Sequence, residues 1–426
     1  MKVAILGAGV SGLSSARFLL QNQIRDVHVF EAENRVGGMA RSFEWHGFNC
    51  DLAPHRFFTE NAETLKEITS LVPMRRVRRQ SSIFVGGRWI QDPVNAAEVV
   101  VKFFPGRSFS IVWHYLFRRQ RPEDNFEQMV LNKFGKGLHE FFFRPYSEKL
   151  FGIPADQISP VWGRKKIRVG GLRDMIMRKT RLYFREFYYP RKGGYGSICD
   201  RLYEDVRDNV RLNTRIVNVR PDPATGGYVC RFEHGGTTSE ETFDVIVSSL
   251  PITQMATYLG VPLTLKFRPA KIVYLLIDRE RVTENHWFYF ADDHISINRV
   301  AEFRHFAGAS LPAGRTVICC EITQTERFSI ERTINELATA GVIRKDEVLD
   351  SRVEEMPFAY PVYHLDYEEQ MQKVREMEAL HPRIHHVGRN ARFVHRDLDE
   401  LYEDARQAVQ RIIAPAQEPA SAADPR

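Results

Sequence analysis

Three observations predict an α/β fold. The apolar strand "KVAIL" opens the chain, the glycine-rich turn "GAGVSG" leads into the amphipathic stretch "LSSARFLLQNQ", and a second strand, "VHVFEA", ends in an acid. Strand, glycine turn, helix and acid at this spacing form the βαβ unit of a Rossmann-type dinucleotide-binding domain. Every position in it has a physical reason. Gly7 permits the tight turn, Gly9 lets a pyrophosphate approach the main chain, Gly12 lets helix pack on strand, and Glu31 can bond ribose hydroxyls.

A chain of 426 residues, 43% of them hydrophobic, can bury a sizeable core and exceeds one ordinary layer-packed domain, so two joined domains are expected. After the opening unit, "AENRVGGMARS" supplies a second glycine-rich turn whose Arg35, Gly37, Gly38 and Arg41 suit further phosphates of a long dinucleotide. The stretch "NFEQMVLNKFGKGLHEFFFRPYSEKLFG" repeats apolar residues at helical spacing, with a break at Pro105 and Gly106 before it. Residues 211 to 247 read as a meander of short strands, and "AKIVYLLID" and "TVICCEITQ" as strands of a sheet. The tail "PAQEPASAADPR" is too rich in Pro, Ala and charge to pack, which predicts disorder for residues 415–426.

Charge and cysteine usage narrow the class. The formal charge is only +6, but residues 164 to 192 hold eleven Lys or Arg against two acids and "RRVRR" occupies 75 to 79, which favours an anionic partner. Nucleic acid is disfavoured, since no recognition module accompanies the charge. Five scattered cysteines without a CxxC pair suggest reduced thiols and a cytoplasmic setting. The start at "MKVAILGAG" leaves no room for a leader segment, and Lys102, Pro105 and Arg107 interrupt the most apolar later stretch, so no membrane span is expected. His385 and His386 are neighbours on a strand and face opposite sides, poor geometry for a metal. No metal site is expected.

The double-glycine extension after Glu31 resembles that of FAD enzymes in the amine oxidase and protoporphyrinogen oxidase superfamily, and "FDVIVSSLP" and "IHHVGRNARFVHRDLDELYEDA" look like later flavin-binding segments of the same superfamily. A narrower resemblance runs through "LAPHRFFT", "RPYSEKLFGIPADQI", "YPRKGGYGSICDRL", "HWFYFADDHISINRVAEFRHF" and "AYPVYHLDYEEQM", which are similar, in order, to segments of the UDP-galactopyranose mutases. This resemblance implies a histidine beside the flavin ring at His55, an arginine on the substrate diphosphate at Arg299, a substrate-side tryptophan at Trp287, and pocket tyrosines at Tyr360 and Tyr363. Lys166 stands roughly where those enzymes carry their other active-site arginine. Ile216, Gly388, Arg389 and Asp399 are further cofactor contacts that it implies.

Departures from the mutase pattern point to a relative with a different substrate. Phe151, Phe306, Phe393 and His395 replace expected rings or hydroxyls, and a lysine at 166 cannot make an arginine's bidentate fork. The resemblance implies a discontinuous FAD-binding domain over residues 1–60, 188–255 and 345–414, with an α+β substrate domain over 61–187 and 256–344. It also implies that reduced flavin, rather than a protein side chain, attacks the sugar, with cations on the departing diphosphate and NADPH or NADH as candidate reductant. The competing class is a net oxidoreductase on a bulky apolar substrate, with which the aromatic, basic segment 102 to 121 and a peripheral membrane contact are compatible.

Overall fold

The computed structural model describes residues 1–92, 96–103, 105–167, 186–306 and 311–414. They form two compact units, one of Met1–Gly38, Cys199–Val261 and Met377–Arg426, the other of Met39–Ile198 and Pro262–Glu376.

The first unit is built on a five-stranded parallel sheet in the order Ile384–His386, Val245–Ser248, Val3–Leu6, Val27–Phe30, Val210–Arg211. The central "VAIL" is wholly buried, as expected for a parallel strand covered on both faces. Helices Val10–Gln21 and Leu398–Ile413 pack together through the Phe18 and Tyr402 rings, 5.0 Å apart, and Arg17 donates to the Tyr402 hydroxyl at 3.0 Å. The predicted meander is a three-stranded antiparallel sheet, Thr214–Asp222, Gly227–His234 and Thr237–Phe243. It shares a core with the parallel sheet, Phe232 stacking on Phe30 at 4.0 Å.

The second unit holds a seven-stranded sheet in the order Val348–Val362, Lys266–Ile277, Thr316–Ile322, Arg299–Glu302, Trp287–Phe290, Ser81–Val85, Arg88–Gln91. Alternation divides its side chains: Val273, Leu275 and Ile277 enter one core, Ile272, Tyr274 and Leu276 the other. The adjacent Cys319 and Cys320 therefore lie on opposite faces. All five cysteines are free and buried. Lys149, buried in helix Arg144–Phe151, donates to the carbonyl oxygens of Phe290, Asp292, Ile295 and Ile297 at 2.6 to 3.1 Å, tying that helix to the loop after strand Trp287–Phe290.

The compact units have bounds of their own: residues 39–60, 188–198 and 345–376, placed with the FAD-binding segments on the resemblance, fall in the second unit. The reason is pairing, since hairpin Ser42–Trp45 and Phe48–Asp51 packs under the seven-stranded sheet and strand Val348–Val362 lies along Lys266–Ile277. The described part of 61–187 is largely helical, as its apolar spacing suggests, with three short strands added. "RRVRR" falls largely in strand Met74–Arg78, paired with Glu186–Pro190, and hairpin Ser81–Val85 and Arg88–Gln91 extends the large sheet. Most of the basic run 164 to 192, and the tail 415–426, lie outside the described residues.

Helices Gly106–Leu116 and Phe126–Leu138 meet through glycine. A Cβ on Gly137 would lie 2.7 Å from Ile111 Cα, and one on Gly135, where φ is +76° and the helix kinks, 2.5 Å from the His114 carbonyl oxygen. Gly137→Ala is therefore expected to lower stability by about 1–3 kcal/mol through overpacking, read as a lower denaturant midpoint.

Candidate functional site

The strand ends of the first unit form a cradle with few side chains in it. Gly7 (φ +101°) donates its N–H to the Phe30 carbonyl at 2.8 Å, and a Cβ on Gly12 would lie 1.9 Å from the Gly7 oxygen, so only glycine lets this helix begin against the turn. The second glycine turn meets the first: Gly37 donates to the Ala8 carbonyl at 2.8 Å and bridges Gly9, with Gly38 (φ +52°) alongside. The Glu31 carboxylate ends the second strand and accepts from the Ala8 and Glu33 N–H groups at 2.8 and 3.0 Å. Gly388 (φ +94°) approaches Ser11 from the C-terminal segment.

The other predicted cofactor contacts are placed unevenly. Asp399 lies in the first turn of helix Leu398–Ile413, and Ile216 lies in strand Thr214–Asp222, its carbonyl accepting from the Tyr258 hydroxyl at 3.1 Å. Arg389 donates to the Arg396 carbonyl at 2.7 Å, and Arg35 lies in the loop before Gly37. Arg41 belongs to the second unit, 3.6 Å from Glu354. Sequence reasoning missed Asp404, a buried carboxylate that accepts from the Gly388 N–H at 3.0 Å and faces Arg392 and Arg396. The cradle fits FAD: its glycines leave room for a dinucleotide, and Ser248 Oγ and Asn390 Oδ1 are buried with no hydrogen-bond partner among the described residues.

In the second unit, the loop carrying His55 hangs from Asp51, which is 0% exposed. Its carboxylate accepts from the Ser42 hydroxyl (2.7 Å), the Tyr189 hydroxyl (2.8 Å) and the Tyr195 N–H (2.8 Å). Burial pushes the Asp51 carboxyl up to about 6 against the pull of those donors. Two residues on, Ala53 takes φ +75°, an uncommon state for a residue with a Cβ. His55 then stacks on Tyr195, centroids 5.1 Å apart and planes at 14°. Tyr195 follows the turn of "RKGGYG", where a Cβ on Gly196 would lie 2.4 Å from Ser42 N.

Arg299 stands opposite Glu321 in the sheet, and its Nε and Nη2 both reach Glu321 Oε2, at 2.9 and 2.7 Å. The Tyr360 hydroxyl donates to the other oxygen, Oε1. Burial opposes the charge on Arg299, but the Glu321 carboxylate holds the guanidinium protonated well above its ordinary range. Burial likewise raises the Tyr360 hydroxyl, with Glu321 adding to the effect. Tyr146 interacts electrostatically with the same pair, and Tyr289 with Arg299. The buried Trp287 has Arg79 5.1 Å above its ring, and its Nε1 lacks a partner among the described residues.

Lys166 and Tyr363 belong to another cluster. Lys166 ends helix Pro160–Lys166 with its ammonium 5.6 Å from the Trp162 ring centroid, and the buried Tyr363 packs among Trp162, Phe151 and Tyr367. Arg299 itself is paired with Glu321, a partner set by the strand register. Only the structure reveals Glu321 in this role, because its "CCEI" context reads as plain strand.

Two outcomes follow from these buried charges. Native Asp51 titrates above its unfolded value of 3.8, so the native state holds the proton more tightly and stability falls as pH rises from about 4 to about 6. The stability of wild type minus that of Asp51→Asn should drop by up to about 3 kcal/mol across that window, read by denaturant titrations at successive pH values. Arg299→Met leaves Glu321 buried without its counter-charge and should cost about 3–5 kcal/mol, whereas Arg299→Met with Glu321→Leu should recover most of the loss.

Residues 10–280 match the model of the family described as flavin containing amine oxidoreductase. Coproporphyrinogen III oxidase of Staphylococcus aureus is 48% identical over 56 residues, 13% of this chain and 12% of that protein. The mitochondrial protoporphyrinogen oxidase of Nicotiana tabacum is 23% identical over 326 residues, 63% of this chain and 62% of that protein. This chain thus spans under two thirds of either relative. The crystal structure of reduced UDP-galactopyranose mutase superposes with a TM-score of 0.83 at 18% identity, covering 96% of this chain and 93% of that one. With a dinucleotide cradle fitted to FAD and a family match over more than half its length, this chain is a flavoenzyme and belongs to the flavin-containing amine oxidoreductase family.

Proposed function

We propose that this flavoenzyme acts on a nucleotide-activated sugar. The observation that carries the reading is the polar cluster around Arg299: one guanidinium, one buried carboxylate and the hydroxyls of Tyr146, Tyr289 and Tyr360. A hydrocarbon substrate would have no group to meet the remaining donors of this cluster, whereas a sugar diphosphate offers hydroxyls and anionic oxygens to them. When bound, reduced FAD would supply the electron-rich centre that attacks the sugar carbon, so no side-chain nucleophile is required.

The residues of the chain then bind and orient. With Nε and Nη2 on Glu321, Arg299 has Nη1 to offer a phosphate oxygen, and Glu321 fixes the guanidinium plane so that little freedom is lost on binding. Tyr360 is oriented by the same carboxylate. Lys166 is the second cation, a point charge on Trp162 suited to the diphosphate as negative charge builds on it. His55, the residue for which the mutase resemblance implies a flavin-side role, is held flat on Tyr195, and NADPH or NADH is the reductant class.

A second reading, oxidation of a bulky apolar substrate, is favoured by the ring wall of Phe187, Tyr189, Trp287 and Phe306, centroids 5.2 to 6.1 Å apart. Electron count separates the two. The proposal expects dithionite-reduced enzyme, kept anaerobic, to convert many nucleotide-sugar molecules per flavin without reoxidation, because substrate and product share one oxidation level. Stoichiometric bleaching of oxidised enzyme by an apolar substrate, with no turnover of nucleotide sugars in the reduced form, would establish the second reading instead.

A further inference from the structure

Helix Gly106–Leu116 turns its two faces to different environments. Ser108 and Ile111 are buried, and the close approach of Gly135 and Gly137 brings the neighbouring helix against the main chain on that side. The opposite side carries Phe109 (68% exposed), Val112 (42%), Trp113 (51%), Leu116 (66%) and, just past the helix, Phe117 (64%). Their spacing of three and four makes one continuous stripe. The rings line up along it, Phe109 to Trp113 at 6.0 Å and Trp113 to Phe117 at 4.2 Å. Val101 (77% exposed) lies on the preceding helix, Ala96–Phe103, so six of the thirteen large hydrophobic side chains exposed among the described residues fall between positions 101 and 117. An apolar cluster of this kind in water marks a binding surface.

Charge identifies the occupant. No acid occurs between Glu98 and Glu123, while Lys102, Arg107, Arg118, Arg119 and Arg121 all do. Lys102 is paired with Glu98, Arg107 lies over Phe141, and Arg118 donates to the carbonyls of Asn132 and Tyr115. Arg119 and Arg121 are exposed beyond the end of the stripe. A second copy of the chain seated symmetrically on the stripe would bring these arginines against their own counterparts. An anionic lipid surface answers both features, accepting the aromatic side chains at the headgroup boundary and pairing its phosphates with the cations. The helix is too short to span a bilayer, and no helix among the described residues is long and apolar enough to do so.

We propose that Phe109, Val112, Trp113, Leu116 and Phe117 form an interfacial docking face, with Arg119 and Arg121 at its rim, that lays helix Gly106–Leu116 flat on an anionic membrane surface. The inference stands independently of which substrate the enzyme takes. In flotation with the holoenzyme, phosphatidylcholine vesicles containing phosphatidylserine are expected to carry the protein and pure phosphatidylcholine vesicles to carry little of it.

Trp113→Ser with Leu116→Ser, at exposed positions outside the site, should weaken binding by about ten-fold or more while flavin content and melting temperature stay unchanged. Arg119→Glu with Arg121→Glu should abolish the preference for phosphatidylserine. Absence of vesicle binding by the wild type, or equal binding by the serine variant, would overturn the proposal. So would a wild-type dimer that the serine variant converts to monomer without any vesicle binding, which would identify the stripe as a contact between copies.

Discussion

A carboxylate with no water around it must be surrounded by donors, and in the second unit that requirement falls on Asp51. Its side-chain donors come from hairpin residue Ser42, from strand residue Tyr189 and from the backbone of the glycine turn at Tyr195, while its own carbonyl accepts from Tyr274 in the large sheet at 2.8 Å. Four separate pieces of chain therefore converge on one residue. The loop leaving this anchor passes through the left-handed conformation at Ala53 and delivers the His55 ring flat on Tyr195. A buried acid is costly on its own, and here three hydrogen bonds offset part of that cost and define where the loop goes.

The two units solve different binding problems by opposite means. In the first, the phosphate-facing turns work through what they lack: a methyl group at Gly12 would strike the Gly7 oxygen, and Gly9 meets Gly37 with nothing between them. Main-chain N–H groups and the start of a helix are left to meet negative charge. The second takes polar groups out of water, Arg299 with Glu321 and Tyr360 at one place and Lys149 among four carbonyls at another. Such groups keep their geometry because any departure would leave a desolvated charge unpaired.

What was legible in the sequence follows the same division. The cradle could be read almost residue by residue, because turn, helix and acid are set by local spacing within one βαβ unit and glycine has few reasons to recur there. Partners joined by strand register could not: Arg299 and Glu321 are opposite one another only because two antiparallel strands align, and neither neighbourhood names the other. Asp51 and Asp404 were hidden for a related reason, since their donors come from segments distant in sequence. "RRVRR" was legible only as charge. In strand Met74–Arg78 only Val77 turns inward, and alternation over five residues cannot compete with four arginines in a sequence pattern. Strand Val348–Val362 lies in the second unit because it pairs along Lys266–Ile277, a preference set by its partner.

The division of the chain has a consequence in time. The central strand Val3–Leu6 is flanked on one side by Val27–Phe30, made almost at once, and on the other by Val245–Ser248, whose far neighbour is Ile384–His386. A ribosome thus releases the first strand long before its second partner exists, and the last strand of that sheet emerges later still. In the interval, the wholly apolar "VAIL" keeps one edge unpaired, the kind of surface that invites foreign strands. Closing so long a loop is slow. The sheet is thus completed by strands far apart in sequence, so its folding waits on contacts of high separation.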